Sequence, residues 1–414
     1  MQLKKKKIAG LLSAATCSLL AGNAAALEHE WDIDSALMIY NESGGRISAI
    51  EPVISGKKDL GDDEILSFKL VLDVLIGASA TGSVPSTQPQ TFTRPSGIGS
   101  YTVAANETPL DDTFQDTRIS FSQSWDKPID SNNRRTLGYN LSREYDFTSI
   151  SGNALWQHDI NQKNTSFTTG INVELDALEP VGGAPVPLTT LNGQAKQGSK
   201  SRDIIDLLFG VTQIIDQSSL FQVNLSFSEA NGYLTDPYKY VSVVDTNGLP
   251  TSQLFERRPE SRSRQSIYAK YKNQLANKDI VTTSYRLMSD DWGVDSSTFD
   301  LTYRFKLKNG NYIQPHVRLY QQSATDFYRY FLLDSEAVPE FASADYRLGE
   351  LDGNTIGVKF GKDVDNQQAW SARIEFYRQS GKSSPDEAIG QLTQQDLFPD
   401  VDAVIIQFNY SLQW

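Results

Sequence analysis

Hydrophobic and polar residues alternate one by one along much of this chain, and the last stretch, AVIIQFNYSLQW at 403–414, shows the pattern most clearly. Successive side chains of a β-strand point to opposite faces, so alternation of period two predicts a strand with one apolar face. The residues that share the apolar face are Val404, Ile406, Phe408, Tyr410, Leu412 and Trp414. The opposite face becomes polar toward the end of the chain, at Gln407, Asn409, Ser411 and Gln413.

The same alternation predicts fifteen further strands. With the last one, the predicted strands are 30–42, 46–56, 64–77, 114–126, 134–148, 150–160, 164–176, 202–216, 218–230, 263–276, 279–289, 296–308, 311–323, 345–362, 367–379 and 402–414. Within 218–230, for example, Phe221 and Leu225 alternate with Gln222 and Asn224. Prolines at 52 and 315 remove ladder donors inside predicted strands, which indicates either bulges or misplaced boundaries.

The connections between these strands sort by length. Every even-numbered connection is short, whereas the long ones, 78–113, 177–201, 231–262, 324–344 and 380–401, are all odd-numbered. Bacterial outer-membrane barrels have short periplasmic turns, long outer loops and an even number of strands. The chain is therefore predicted to form an all-β, antiparallel, up-and-down transmembrane barrel with periplasmic termini in a Gram-negative outer membrane. Ambiguity at 142–160 and 342–362 allows 14 to 18 strands. A soluble sandwich would also alternate, but its loops would not sort in this way.

The N-terminus predicts export. Four lysines at 4–7 precede an apolar run from Ile8 to Leu20 and small residues at 24–26, which is the pattern of a secretory signal peptide. We predict a signal at 1–26 and a barrel at 27–414. The single cysteine, Cys17, lies in the signal, and its surroundings do not match a lipoprotein signal well. The mature chain therefore has no disulfide or thiolate chemistry, and it lacks an apolar run long enough for a spanning helix.

The charge excludes one class of partner. The formal net charge is −13, and removal of the four signal lysines leaves 34 basic against 51 acidic residues, a charge of −17. An acidic chain of this kind is not expected to bind nucleic acid.

The polar faces of the predicted strands carry charges of different sign along the chain. Inward positions on the later strands are basic: Lys270, Lys272, Arg286, Arg304, Lys306, Arg318, Lys359 and Arg373. Inward positions on the first four strands are mainly acidic: Asp32, Asp34, Glu51, Asp73 and Asp116. Opposed walls of this kind would create a transverse field that orients a polar or zwitterionic solute in a water-filled pore. A salt-bridged, self-plugged interior is the alternative.

No catalytic set is marked in the sequence. The three histidines, His29, His158 and His316, lie far apart, and none has a recognisable Ser or Asp partner. Paired acids are weak candidates for Ca²⁺ ligands, but their spacing matches no calcium loop; they are Asp111, Asp112, Asp290, Asp291 and Asp295. We therefore predict no catalytic residue, no metal site and no cofactor.

The end of the chain resembles the final strand of bacterial outer-membrane barrels, which serves as their assembly signal. The corresponding residues are Phe408, Tyr410, Leu412 and Trp414. The resemblance implies that the barrel assembly machinery, outer-membrane lipid and lipopolysaccharide are partners.

Five strings resemble an uncharacterised family of proteobacterial outer-membrane barrels with a conserved domain of unknown function. They are QPQTFTRPSG (88–97), TPLDDTFQDTR (108–118), GYLTDPYKYVSVVD (232–245), DDWGVDS (290–296) and FASADYRLG (341–349). The resemblance implies a barrel and carries over no activity or binding residue. Members of the family are often encoded beside a small lipoprotein, a flavin transferase and a thioredoxin-like protein. This implies a role in extracytosolic redox or flavin maturation or export, with a periplasmic lipoprotein as a partner.

The sequence thus predicts a non-enzymatic conduit or export component for a small polar solute. A plugged barrel that binds a partner at the outer surface, or has a structural role, is the alternative. Tyrosine and arginine in the outer loops, as in LFERRPESRSRQS, would suit such binding. An outer-membrane hydrolase is the third reading.

Overall fold

The computed structural model describes residues 31–93, 99–191, 196–364 and 367–413. The predicted signal peptide at 1–26, His29 and Trp414 lie outside these residues. Within the described ranges, no helix is both long and apolar enough to cross a membrane.

Twenty-one strands account for most of the described chain. In chain order they are β1 (Trp31–Glu42), β2 (Ser48–Asp59), β3 (Ile65–Ala80), β4 (Gln90–Thr93), β5 (Ser100–Val103), β6 (Leu110–Pro128), β7 (Asn133–Arg143), β8 (Phe147–Ile160), β9 (Thr165–Leu178), β10 (Lys200–Ile214), β11 (Ser219–Gly232), β12 (Tyr240–Val244), β13 (Pro250–Phe255), β14 (Ser261–Gln274), β15 (Ile280–Asp290), β16 (Asp295–Lys306), β17 (Asn311–Gln322), β18 (Leu332–Leu333), β19 (Leu351–Asp363), β20 (Gln368–Gly381) and β21 (Val401–Gln413). Three 3-10 turns, Ser43–Gly45, Tyr346–Leu348 and Gly390–Gln394, complete the elements.

Sixteen of these strands form one closed antiparallel barrel, as the alternation predicts. Each barrel strand pairs with the barrel strand that follows it in the chain. Among the described strands, β4, β5, β12, β13 and β18 lie outside the wall. The barrel closes where β1 pairs with β21, from Asp32 opposite Gln413 to Glu42 opposite Ala403. The C-terminal strand therefore completes the wall.

The two ends of the barrel differ in their connections. Seven short connections, at 60–64, 129–132, 161–164, 215–218, 275–279, 307–310 and 364–367, share one end, here called the turn end. The opposite end, here called the cap end, carries the five long connections, 81–109, 179–199, 233–260, 323–350 and 382–400. The described residues of these five long connections are together called the cap.

Local chemistry closes the short turns. Asn309 and Gly310 have φ values of 59° and 74°, the left-handed pair that a two-residue hairpin requires. In another turn, Asp130 Oδ1 accepts the backbone N–H groups of Asn132 and Asn133, both at 2.8 Å. Side chains that bond their own backbone two or three residues ahead favour turns over strand extension.

Two predicted strand boundaries are wrong. The predicted break near 149 is instead a turn at 144–146, where the Glu144 N–H donates to the Phe147 carbonyl at 2.7 Å. The strand predicted at 345–362 begins only at Leu351. Before it, the Asp345 side chain accepts the Arg347 N–H at 3.1 Å and curls the chain into a 3-10 turn. A backbone hydrogen bond at the first point and a side-chain hydrogen bond at the second therefore override the alternation.

Both strand prolines lie inside their strands without a bulge. The ladder from β2 to β3 is interrupted at Pro52, between Ile50 and Val53, and resumes in the same register. The ladder from β16 to β17 is likewise interrupted opposite Pro315. Because proline lacks an N–H, each one interrupts a ladder on one side and leaves the strand otherwise continuous.

The outer wall of the barrel is an apolar surface. Side chains on the outward parity remain exposed, for example Ile356 at 62%, Phe376 at 54% and Phe408 at 50%. An apolar belt around a closed barrel is the surface that a bilayer covers, and it would be an aggregation hazard in water. Three aromatic residues on the outward parity, Trp125, Tyr271 and Trp370, lie near the turn end of their strands. Aromatic belts of this kind mark a membrane interface.

The tightly buried core lies mostly in the cap, above the wall. Trp292, Phe327, Tyr346 and Phe398 belong to one buried cluster, which unites several connections. Three smaller buried clusters contain Val241, Val84 and Phe92, respectively. The loops of this barrel therefore pack together as a compact body.

Short strands also link the cap connections. Strand β12 pairs antiparallel with β13 of its own connection and parallel with β18 of another. Strands β4 and β5 form a separate hairpin in the first long connection. Backbone hydrogen bonds thus reinforce the apolar packing of the cap.

Candidate functional site

All eight residues of the predicted basic wall lie on the inward parity of their strands. On β20, for example, Arg373 alternates with Ile374 and Phe376, which are exposed on the outer wall. Most of the set lies in the turn-end half of the barrel, and these residues are Lys270, Lys272, Arg304, Lys306, Lys359 and Arg373. The other two, Arg286 and Arg318, lie near mid-strand. The structure therefore concentrates the basic charge toward the turn end.

The predicted acidic wall is divided between two levels. Asp32 and Asp34 lie at the turn end of β1 and are exposed. Glu51 and Asp73 lie in the cap-end half, where they are buried at 8% and 2% exposure. Asp116 lies in the same half, on β6. The guanidinium of Arg118 forms an ion pair with Asp73. The acidic residues are therefore not gathered on one continuous face.

A histidine links three strands of the lumen wall. His316 Nε2 lies 2.9 Å from Asp300 Oδ2, and His316 Nδ1 lies 2.7 Å from Glu375 Oε1. The sequence analysis missed both carboxylates, although each shares the inward parity of its strand. Because both ring nitrogens are occupied, neither is left to activate a nucleophile, as a hydrolase would require.

Several inward charges contact solvent. Asp32, Asp34, Lys272, Arg286 and Lys306 are exposed although their side chains point away from the apolar outer wall. Four of these residues lie near the turn-end mouth, and Arg286 lies near mid-strand. Barrels of sixteen strands are wide enough to enclose an aqueous bore. The turn-end mouth of the lumen is therefore lined with solvent-exposed charge.

The cap crosses the opposite mouth. In the order of the sixteen barrel strands, β3 and β6 are third and fourth and β11 and β14 are ninth and tenth, nearly across the barrel. The connections that follow β3 and β11 nevertheless meet, because the Tyr240 N–H donates to the Thr81 carbonyl at 2.8 Å. The connection after β20 joins them, with the Gln391 N–H donating to the Asn247 carbonyl at 2.8 Å. The cap therefore covers the mouth at its end.

An ionic cluster, largely buried except for Arg347, connects two parts of the cap. Arg258 lies 2.6 Å from Glu256 Oε1 through its Nε and 2.8 Å from Asp345 Oδ2 through its Nη2. Arg347 pairs with Asp345 and, at 2.7 Å, with Asp236 Oδ2. These five residues come from the connections 233–260 and 323–350. Removing one partner of such a buried pair leaves an uncompensated charge, which is strongly destabilising.

The electrostatics of this cluster follow from its burial. Burial alone would raise the pKa of Asp345, but the charges of Arg347, Lys239 and Arg258 outweigh it and hold that pKa below its usual range. Burial raises the pKa of Glu256 even though Arg258 lies beside it. The cluster is therefore balanced between ion pairing and the cost of desolvation.

The acidic pairs considered as calcium ligands have other contacts. Asp290 pairs with Arg262 and accepts the Trp292 N–H at 3.0 Å. Asp291 Oδ1 accepts the Ser263 N–H at 2.9 Å. Across the part of the chain that the structure describes, no group of three or more His, Cys, Asp or Glu residues is placed to hold a metal ion. Asp111, Asp112 and Asp295 lie at the cap-end rim.

The five family-like strings share one location. The stretches at 88–97 and 341–349 belong to the cap, 232–245 enters it from β11, and 108–118 and 290–296 form its rim. Residues 94–97 of the first string lie outside the described residues. The sequence features that carry the resemblance are therefore features of the cap and its rim.

Comparison with known proteins identifies a family. The sequence model of a family described as "Protein of unknown function (DUF3570)" matches residues 9–412. No curated protein matches this chain.

Solved structures with a similar arrangement include several barrels. The CymD monoaromatic hydrocarbon channel is 8% identical, with a TM-score of 0.42 over 94% of this chain and 89% of that one. CdiB from Acinetobacter baumannii is 9% identical, with a TM-score of 0.46 over 94% and 61%. The siderophore receptor PirA from Acinetobacter baumannii is 9% identical, with a TM-score of 0.42 over 86% and 54%, so this chain spans about half its length. At TM-scores below 0.5 the likeness does not extend to pore shape or solute.

Proposed function

Since the chain belongs to the DUF3570 family, we propose a function for this barrel: a gated, non-enzymatic outer-membrane conduit for a small polar solute. One observation carries the proposal. Inward-facing charged side chains such as Lys272 and Lys306 are exposed at the turn-end mouth of the barrel, and the opposite mouth is covered by a cap held together through ion pairs. A purely structural barrel needs neither feature.

The proposal places the turn end in the periplasm and the cap outside the cell. Short turns face the periplasm in bacterial outer-membrane barrels, and both termini would then be periplasmic. Outer-membrane lipid, lipopolysaccharide and the barrel assembly machinery are the partners expected at that location. An epitope inserted between Gln88 and Pro89, both exposed, should be labelled on intact cells, whereas one at Asn309-Gly310 should not. Labelling of the second site alone would reverse the orientation.

Opening would separate the cap connections. Arg258 joins Glu256 of its own connection to Asp345 of another, so its loss would weaken the junction that covers the mouth. Breaking a buried ion pair costs about 3–5 kcal/mol. That amount is sufficient to change an equilibrium between closed and open caps by a large factor.

The test is conductance in planar bilayers. Wild-type protein should open rarely, and Arg258→Ala should open much more often. Arg329→Ala is the matched control, because the side chain of this exposed cap arginine donates to the carbonyls of Asp326 and Tyr328 in its own connection. Heat-modifiable migration verifies that each barrel is folded. Silent bilayers with folded wild type and folded Arg258→Ala would contradict the conduit.

The alternative is a permanently closed barrel that binds a partner at the outer surface. The compact packing of the cap favours this function, since its buried clusters resemble those of a small folded domain. If the barrel is permanently closed, no cap variant should conduct. The bilayer experiment therefore separates the two functions.

The family resemblance adds a process to the proposal. The conduit would serve an extracytosolic redox or flavin maturation system, with a periplasmic lipoprotein as a partner. Deleting the gene should then lower the level of flavin-modified exported proteins, measured by in-gel flavin fluorescence. An unchanged level would remove this part of the proposal.

A further inference from the structure

Three cations point into the lumen at one level of neighbouring strands. Lys359 of β19 lies directly opposite Arg373 of β20 and, on its other side, opposite Gln314 of β17. The register of β16 and β17 places Arg304 opposite Gln314. Arg304, Lys359 and Arg373 therefore form a row that is interrupted only by a neutral amide.

The middle cation of this row has no counter-ion. Lys359 forms no ion pair or hydrogen bond with any residue in the described ranges, and it is partly buried. The nearby carboxylate of Glu375 is shared by His316, at 2.7 Å, and Arg373, at 3.3 Å. Like charges directly opposite each other on neighbouring strands are destabilising. Glu375 offsets part of the repulsion between Lys359 and Arg373 by pairing with Arg373, but it forms no ion pair with Lys359.

The two arginines are held in place around this lysine. The Arg304 guanidinium lies 3.6 Å from the centre of the Tyr312 ring, and its Nη2 lies 3.1 Å from Asp363 Oδ2. A side chain at Gly361 would clash with the Tyr312 ring, so the glycine makes room for this stacking. Arg373 donates to Gln407 through Nη2, while its buried Nε has no hydrogen-bond partner among the described residues.

We propose that Arg304, Lys359 and Arg373 form a binding site for a small oxyanion, a phosphate-sized group or carboxylate on the transported solute. The inference rests on the proposed conduit and assigns its solute to a chemical class. Guanidinium groups bind such oxyanions through paired N–H donors, and the lysine supplies a point charge. A bound oxyanion offsets the repulsion between Lys359 and Arg373 and gives the unpaired lysine a partner.

The site is tested by binding, without transport. Purified wild-type barrel in detergent is titrated with inorganic phosphate at constant ionic strength, with chloride as the balancing anion, and the ³¹P linewidth is measured. Wild type should show saturable broadening. Lys359→Met should bind at least about tenfold more weakly, the loss expected for a charge-assisted contact.

Lys69→Met is the matched control. Lys69 of β3 also lies on the inward parity in the turn-end half, outside the basic wall, and its opposite residues are the neutral Ser55 and Ser122. This variant should bind phosphate like the wild type. Non-saturable broadening in the wild type, undiminished binding by Lys359→Met, or equal losses in both variants would overturn the site.

A second readout uses stability. In chloride, Lys359→Met should unfold at the same temperature as the wild type or higher, because a like-charge contact is removed. Phosphate should raise the unfolding temperature of the wild type only, since a ligand that binds the folded state stabilises it. Lys359→Gln repeats the test should the methionine variant not fold. Failure to bind phosphate refutes the site and leaves the conduit intact, whereas binding combined with silent bilayers refutes the conduit alone.

Discussion

Glu375 on β20 reaches across β19 to His316 on β17, where its Oε1 lies 2.7 Å from the His316 Nδ1. The residue between them is Gly357, which lies opposite both Glu375 and His316 in the ladder. A Cβ at Gly357 would lie 2.6 Å from the Ile374 carbonyl and would clash with the Glu375 side chain. The missing side chain therefore permits a contact between strands that are not neighbours.

Replacing this glycine tests the contact. Gly357→Ala should lower the free energy of unfolding by about 1–3 kcal/mol, the usual cost of overpacking. Gly152→Ala on β8 is the control, because nothing lies within 4 Å of its added Cβ. Urea unfolding of the two variants in detergent, followed by tryptophan fluorescence, gives the comparison. Equal stability of the two variants would mean that the Glu375 side chain can reach His316 without the space that Gly357 leaves.

The closing strand should control assembly. Phe408 and Tyr410 are 50% and 43% exposed on the outer wall of β21, and β21 pairs with β1 to close the barrel. Replacing Phe408, Tyr410 and Leu412 with serine and deleting Trp414 should sharply reduce folded barrel in the outer membrane while export continues. Heat-modifiable protein in membrane fractions is the readout. Normal levels would show that assembly does not depend on this apolar face.

A glutamate at the cap-end rim should make stability depend on pH. Burial, reinforced by Asp116 and Asp146, raises the pKa of Glu144 to about 7. Because the folded state favours the protonated carboxyl, the free energy of unfolding falls as the pH rises from the ordinary glutamate pKa, about 4.3, through about 7. Glu144→Gln should therefore match the wild type near pH 4 and unfold at a higher temperature near pH 8. Glu340→Gln, an exposed glutamate of the cap, should leave the pH profile unchanged.

The basic residues of the lumen should determine ion selectivity. Replacing Arg304, Lys306, Arg318 and Arg373 with neutral residues should shift the reversal potential toward cations, because fixed charges concentrate counter-ions in a narrow bore. The difference should fade near 1 M salt, where screening shortens to about 3 Å. Conductance with unchanged selectivity would mean that these residues do not line the conducting path.

The barrel could be predicted from the sequence because its wall obeys one local rule. Phe221, Leu225 and Phe227 face outward because every second residue of a strand does, and Asn309-Gly310 closes a hairpin by its own backbone preference. The apolar residues of the cap do not recur at every second position. Tyr346 and Phe398 come together from different connections, with ring centres 5.0 Å apart, through packing that no local pattern reveals.

Only the inward-facing positions of the candidate site could be predicted from the sequence. Inward parity identifies Lys359 and Arg373 as lumen residues, but their direct opposition depends on the register of two strands. The contact of His316 with Glu375 depends on an absent side chain at Gly357. Register and close packing are properties of the assembled sheet, and alternation along one strand does not contain them.

The central claim is that the cap gates a conducting lumen, and a reversible lock on the cap tests it most directly. Arg257 and Ala342 lie on two cap connections and exchange both backbone hydrogen bonds, at 2.9 and 3.0 Å. Such pairs have Cα atoms about 5.5 Å apart, within the reach of a disulfide. The sequence has one cysteine, Cys17, in the predicted signal peptide, so it offers no competing thiol to the mature chain.

The measurement is the bilayer current of Arg258→Ala protein that also carries Arg257→Cys and Ala342→Cys, recorded before and after reduction. We expect little current while the disulfide is intact and frequent openings once it is reduced. A current that is the same in the oxidised and reduced states, with the disulfide verified by mass spectrometry, would contradict gating by the cap.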